Sequence, residues 1–198
     1  MVNRYLIGFA VVILLMLVGI ILIFSGGGGE KKPIQEQIKP LPEYVDTFAE
    51  VSYTQRGIIN GEDIHREIRI TVGQFQRRLD IIAGYSGNVI QTQTFSNSVP
   101  AYREFLAAIA GAGFLAEKKV SPSQADTLGK CPLGLLYKFE LNDGGEILSF
   151  LWSSSCGKDS GTMKVNSSTL QTLFKNQITN YNQVVSDVNL KATTSPTN

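Results

Sequence analysis

Tyr5 to Phe24, YLIGFAVVILLMLVGIILIF, is a run of twenty residues without a charge. As a helix rising about 1.5 Å per residue it is roughly 30 Å long, the thickness of a bilayer's hydrocarbon core. The run reads as a transmembrane anchor over 5–24 that contacts membrane lipid and is preceded by a stub, residues 1–4. Secretory signal cores are shorter, about 7–15 residues. Ser25-Gly26-Gly27 nevertheless offers a weak cleavage site, so cleavage stays open. No Cys stands at the end of the run, which excludes a lipoprotein, and Ile13 stands where a type IV prepilin needs Glu.

Orientation rests on two opposed signals. Arg4 lies on one side of the run and Lys31, Lys32 and Lys39 on the other, a count that favours a cytoplasmic C-terminal domain. Long C-terminal domains translocate with little regard to charge, however. The cysteine pair below also argues for an oxidising compartment. The expectation is a single-pass protein of the cell membrane with its C-terminal domain extracytoplasmic.

Residues 25–44 read as a linker. Its Gly-rich start is flexible, and Pro33, Pro40 and Pro42 stiffen the rest. Residues 45–188 form the expected domain, and 189–198 an unstructured tail without apolar periodicity. About 155 residues follow the linker's last turn, enough for one core. With Arg4, Lys31, Lys32 and Lys39 set aside, 14 of the 18 basic residues remain, against 15 of the 17 acidic ones. That balance gives no support to a nucleic-acid partner.

The domain pattern is α+β: one mainly antiparallel sheet, two packed helices and a disulfide-bridged hairpin. Ala49–Gln55 and Ile64–Val72 alternate, with Ile68, Ile70 and Val72 on one face. Arg78–Tyr85 and Asn88–Phe95 read as two further strands around Ser86-Gly87-Asn88, where two- and three-residue loops both fit. Ser98 is placed to cap a helix, with Pro100 in its first turn and Tyr102, Phe105, Leu106 and Ile109 on one stripe. Gly113 is placed to end it. A second helix opens at Ser168 with Gln171 in capping-box spacing and carries an apolar stripe from Leu170 to Val188.

LLYKFEL (135–141) and EILSFLW (146–152) flank Asn142-Asp143-Gly144-Gly145. A type I′ turn at Asp143-Gly144 pairs Phe139 with Leu148, Tyr137 with Phe150 and Leu135 with Trp152. The same register sets Cys131 opposite Cys156 at a non-hydrogen-bonded site, within disulfide range. The alternative is two buried free thiols; a bulge near Pro132 or Gly134 would also shift the register. Closing a loop of about 26 residues adds roughly 3 kcal/mol by chain entropy.

Reactive constellations are scarce. The single histidine, His65, sits in a strand pattern beside Arg66 and reads as a surface residue, and the Cys/His ligands of a zinc site are lacking. No metal or cofactor is expected. Ser155-Cys156-Gly157-Lys158 matches S-x-x-K but lies at a strand end without the companion motifs, and residues 157–161 miss G-x-S-x-G by one position. Asn166-Ser167-Ser168 is a sequon whose Ser168 is better used as a helix cap. Arg66, Arg69, Arg77 and Arg78 come from neighbouring strand segments and could hold a carboxylate or phosphate by bidentate hydrogen bonds. Arg66 has the parity of the apolar face and reads as lying at its edge, so not all four need converge; Glu62, Asp63, Glu67 and Asp80 stand near enough to neutralise them.

The segments RITVGQFQRRLDIIAGYSG and AYREFLAAIAGAGF, with the stub, single anchor, Gly-rich linker and small α+β domain, resemble uncharacterised single-pass exported proteins of candidate-phylum bacteria. The resemblance supplies no catalytic residues. The expected function is a non-enzymatic module tethered outside the membrane that binds a protein or an envelope polymer. The alternatives are an envelope hydrolase or transferase using carboxylates such as Glu62, Asp63 and Glu67, and a subunit of a surface or secretion assembly.

Overall fold

The computed structural model describes residues 38–191. The stub 1–4, the run 5–24, the linker up to residue 37 and residues 192–198 of the expected tail lie outside the described residues. Among the described residues no helix is long and apolar enough to cross a membrane.

A six-stranded antiparallel sheet organises the domain. Its strands are β1 (Glu50–Arg56), β2 (Arg66–Val72), β3 (Gln76–Ala83), β4 (Asn88–Ser96), β5 (Leu136–Asp143) and β6 (Glu146–Ser154). They lie in the spatial order β4-β3-β2-β1-β5-β6. The first four form a meander of neighbours, and the chain then returns to the far side of β1 to lay down the β5–β6 hairpin. The first strand is therefore central, and β4 and β6 are the two edges.

Alternation decides which face each residue takes. Val51 and Tyr53 of β1, Ile68, Ile70 and Val72 of β2, Leu79 and Ile81 of β3, and Phe139 and Leu141 of β5 share one face and are buried. Helix α1 (Val99–Gly111) covers that face with Tyr102, Phe105, Leu106 and Ile109. Its start is as read: Ser98 Oγ accepts from Ala101 N at 3.4 Å, and Gly113 follows its end at φ 83°. A 3-10 turn, Leu41–Asp46, adds Leu41, Tyr44 and Val45 to the core, so residues 41–44 belong to the folded unit and not to the linker. A single turn, α2 (Pro122–Ala125), stands in the connection before β5.

The second expected helix is broken. Helix α3 (Ser168–Lys175) buries Leu170 and Phe174 and is then interrupted at Asn180, whose φ of 58° is left-handed, before the single turn α4 (Tyr181–Val184). Asn tolerates that conformation at small cost, a break that an apolar stripe cannot reveal. The cap is Ser167, one residue earlier than expected: its hydroxyl accepts from Gln171 Nε2 at 3.0 Å, while Asn166 Oδ1 accepts from Ser168 N at 2.9 Å. Residues 189–191 belong to the folded unit and not to the expected tail. Leu190 packs on the core and its carbonyl accepts from Ile58 N at 2.9 Å.

The hairpin register differs from the expected one. The turn residues are Gly144 and Gly145, at φ 60° and 91°, so Asp143 pairs with Glu146. Two glycines carry the two positive φ values of a I′ turn without the strain that Asp143 would suffer there. A bulge at Leu141/Asn142 adds a further offset, giving Phe139 opposite Leu151 and Lys138 opposite Trp152. Trp152 and Phe150 thereby lie on the face opposite α1, where Trp152 Nε1 donates to the Ala125 carbonyl of α2 at 2.8 Å. The disulfide Cys131–Cys156 forms nonetheless, with Cα atoms 5.5 Å apart. It lies beyond the ladder, Cys131 having a φ of 48° in the turn before β5.

Candidate functional site

The face opposite α1 is closed partly by its own polar side chains and partly by the segment 125–130. Ser52, Thr54 and Arg56 of central β1 are buried because longer residues of β2 and β5 lie over them. Arg69 Nε donates to Thr54 Oγ1 at 3.2 Å, and Ser52 Oγ to Glu140 Oε2 at 3.2 Å. Lys138 pairs with Glu67 at 3.2 Å, and Arg78 with Asp80 at 2.9 Å; Asp80 also accepts from Thr92 Oγ1 at 2.8 Å. Burial lowers the Arg56 pKa, with Glu67 acting in the opposite sense. The Arg56 guanidinium donates to the carbonyls of Thr127 and Lys130, pinning the segment that leads into Cys131.

His65 is fully buried, against the surface position expected for it. It shares the parity of the polar face, but Tyr85 stacks on its ring at 4.0 Å between centroids. Nδ1 stands 3.0 Å from the Ile58 carbonyl, while Nε2 lies 3.7 Å from Glu67 Oε1 and makes no hydrogen bond. The surrounding contacts hold Ile58–Asn60 and Tyr85 on the end of the sheet: Tyr85 Oη donates to the Asn60 carbonyl at 2.9 Å.

The four arginines are not gathered into one patch. Arg69 and Arg78 lie on the polar face, Arg66 and Arg77 on the helix face. Arg66 pairs with Ala83 and Arg77 with Val72, so six residues of β2, about 20 Å, separate the two. Arg77 donates to the carbonyls of Ser96 (Nη2, 2.8 Å) and Gln177 (Nη1, 3.1 Å), tying β4 to the residues after α3. Arg66 Nη1 donates to the carbonyls of Asp63 and His65. Of the candidate carboxylates, Glu62 accepts from Tyr85 N at 2.9 Å, while Glu67 pairs with Lys138 on the polar face. Among the described residues no group of three or more His, Cys, Asp or Glu could hold a metal ion.

The β4 side of the helix face is open. Because α3 stops at Lys175 and the chain turns at Asn180, a groove of about 740 Å³ is left between β3–β4 and the residues from Thr179 to Val188. Its apolar lining is Ile81, Ile90, Phe95, Val184 and Val188, and its polar groups include Gln91, Gln93, Asn180 and Gln183. Arg66 and Asp187 are its charged residues. Asp187 is the one carboxylate among its described lining residues.

The outer edge of β4 borders this groove. No charged residue lies between Asp80 and Arg103. Edge strands are ordinarily protected by Lys, Pro or a covering segment, since their free N–H and C=O groups template further pairing. β4 is nine residues long, has no charge and no proline, and exposes Val89 and Ile90. Among the described residues, the backbone of Asn88–Phe95 makes no hydrogen bond outside its ladder with β3. Its protective features are the bulge opposite Ile81/Ile82, which leaves Ile90 unpaired, and the Arg77 guanidinium on the Ser96 carbonyl at the end of the strand. The other edge differs at its far end, where the Trp152 carbonyl of β6 accepts from Thr162 N at 2.9 Å and Met163 N at 3.2 Å, and in carrying a charge at Glu146. Sequence reading missed this site because edge status depends on β5 pairing with β1; the uncharged run itself was visible.

Comparison of the chain with known protein families, curated proteins and solved structures finds no match.

Proposed function

We propose that the chain is a membrane-tethered, non-enzymatic interaction module of the cell envelope that binds an extended polypeptide segment by strand addition at β4. The observation that carries this reading is the uncharged, uncovered edge of β4 beside the 740 Å³ groove. Strand addition draws affinity from main-chain hydrogen bonds and specificity from pockets for alternate side chains. The β4 edge supplies the first, and the groove supplies the second: alternate residues of an added strand point toward Phe95 and the amides of Gln91 and Gln93. The uncharged run 5–24 supports the tether, and the Cys131–Cys156 disulfide supports an oxidising compartment outside the cytoplasm. The dispersal of the four arginines favours a polypeptide over an anionic polymer as ligand.

A photo-crosslinking residue at Thr92 or Thr94, in the whole chain in its native envelope, tests the site. Adducts from these β4 positions, and none from Ile147 at the other edge, are expected. Equal labelling at Ile147, or no adduct at β4, removes β4 as the binding edge.

A further inference from the structure

We infer that the segment added to β4 is the β4 strand of a second copy, so that two domains share one continuous antiparallel sheet. This rests on the reading of β4 as the binding edge and names its partner. Strand addition needs a second edge that is unpaired, β-forming and free of charge, and β4 meets those requirements for itself. Under the tethered reading, copies also share a membrane, which raises their effective concentration.

The structure fixes the register. An antiparallel pair of identical strands is related by a two-fold axis normal to the sheet, so opposed residues lie on the same face and the axis runs midway between one residue and its own copy. The free part of the edge has two limits. At one end, the bulge takes Ile90 out of the regular ladder. At the other, the Ser96 carbonyl already accepts from Arg77 Nε at 3.2 Å and Nη2 at 2.8 Å. The stretch between them, Gln91 to Phe95, is centred on Gln93. An axis there sets Gln93 against its own copy, Thr92 against Thr94 of the second copy, and Gln91 against its Phe95. Moving the axis to Thr92 puts the bulged Ile90 into the ladder, and moving it to Thr94 needs the occupied end at Ser96. In the centred register each pair is compatible: two amides can exchange hydrogen bonds, threonines pair across the polar face, and each half-buried Phe95 gains cover. No charge is brought against a like charge along β4, since the strand has none.

Two experiments on the whole chain in its membrane decide this. A photo-crosslinking residue at Gln93 should give an adduct of twice the chain's mass that contains only this chain's peptides, and T94K should abolish it by placing a lysine on the shared face. An adduct carrying another protein overturns the inference but leaves strand addition at β4 standing; no adduct at all overturns both. The register is tested by Gln93→Cys, which should form an intermolecular disulfide under mild oxidation, whereas Gln91→Cys should not. Equal yields from the two cysteines overturn the centred pairing.

Discussion

Phe174 holds the C-terminal part of the domain to the sheet, and its removal has a magnitude that the packing sets. Helix α3 has eight residues, too few to be stable alone in water. Its attachment depends on Leu170 and Phe174, both fully buried. The Phe174 ring meets Phe105 edge-on at 5.1 Å and lies 5.8 Å from Tyr53, 6.0 Å from Phe114 and 6.2 Å from Phe139. These four partners come from α1, β1, the loop after α1, and β5, so they cannot all move into the void together. Phe→Ala changes in cores cost about 3–5 kcal/mol, the larger values where the site collapses poorly. For Phe174→Ala we expect about 4 kcal/mol, a large part of the roughly 5–15 kcal/mol that holds a domain folded. Trp152, the only tryptophan, is 1 % exposed and reports unfolding by fluorescence. Urea titration of the purified whole chain should show a lowered midpoint with an unchanged slope. A loss below about 1.5 kcal/mol would show that α3 is not packed as described, because no well-filled aromatic site relaxes so cheaply.

Replacing Cys131 and Cys156 together with Ala should lower stability by roughly 2–4 kcal/mol while the circular dichroism spectrum keeps its sheet signal. Gly134→Ala should hinder formation of that disulfide, since a Cβ there would stand 2.6 Å from Cys131 Sγ and 2.8 Å from Cys156 Sγ; thiol titration after refolding reads this directly. Arg56→Met should speed proteolysis within residues 120–130 before it affects the rest of the domain, because the two carbonyl contacts at Thr127 and Lys130 are lost. Alkali should destabilise the fold. Burial raises the pKa of Tyr53 and Tyr102, and lifts that of Tyr181 to about 12, so the folded state retains protons that the unfolded chain gives up near pH 10. That stability is full below about pH 10 and is lost as pH rises through the folded values; a urea midpoint that does not fall between about pH 10 and 12 would contradict it.

Much of the architecture was readable in the chain because it is encoded locally. The stripe Tyr102, Phe105, Leu106 and Ile109 and its Ser98 cap are properties of one helix. The alternation of Ile68, Ile70 and Val72 is a property of one strand. Long-range geometry was not encoded that way. Placing the turn at Gly144-Gly145 instead of Asp143-Gly144, together with the bulge at Leu141/Asn142, moved Trp152 to the other face. The cysteines were matched correctly although the register that matched them was not: a disulfide needs only two nearby Cβ atoms, and Cys131 reaches its partner from a turn. His65 read as exposed because the strand pattern sets it beside charged residues. Tyr85 buries it from outside that pattern. The β4 site was hidden for the same kind of reason, since nothing within Asn88–Ser96 says that β5 will pair with β1 and leave β4 at the edge.

Amide hydrogen exchange along β4, in the whole chain held in its native membrane, tests the central claim most directly. Amides of an edge strand alternate between those bonded to the neighbouring strand and those facing outward. If the outer edge is occupied, every amide from Gln91 to Phe95 should be protected in the wild type, and alternate ones should exchange quickly in Thr94→Lys. Alternate fast exchange already present in the wild type would mean that the edge is bare in the membrane, and the account of β4 as a binding edge would fail.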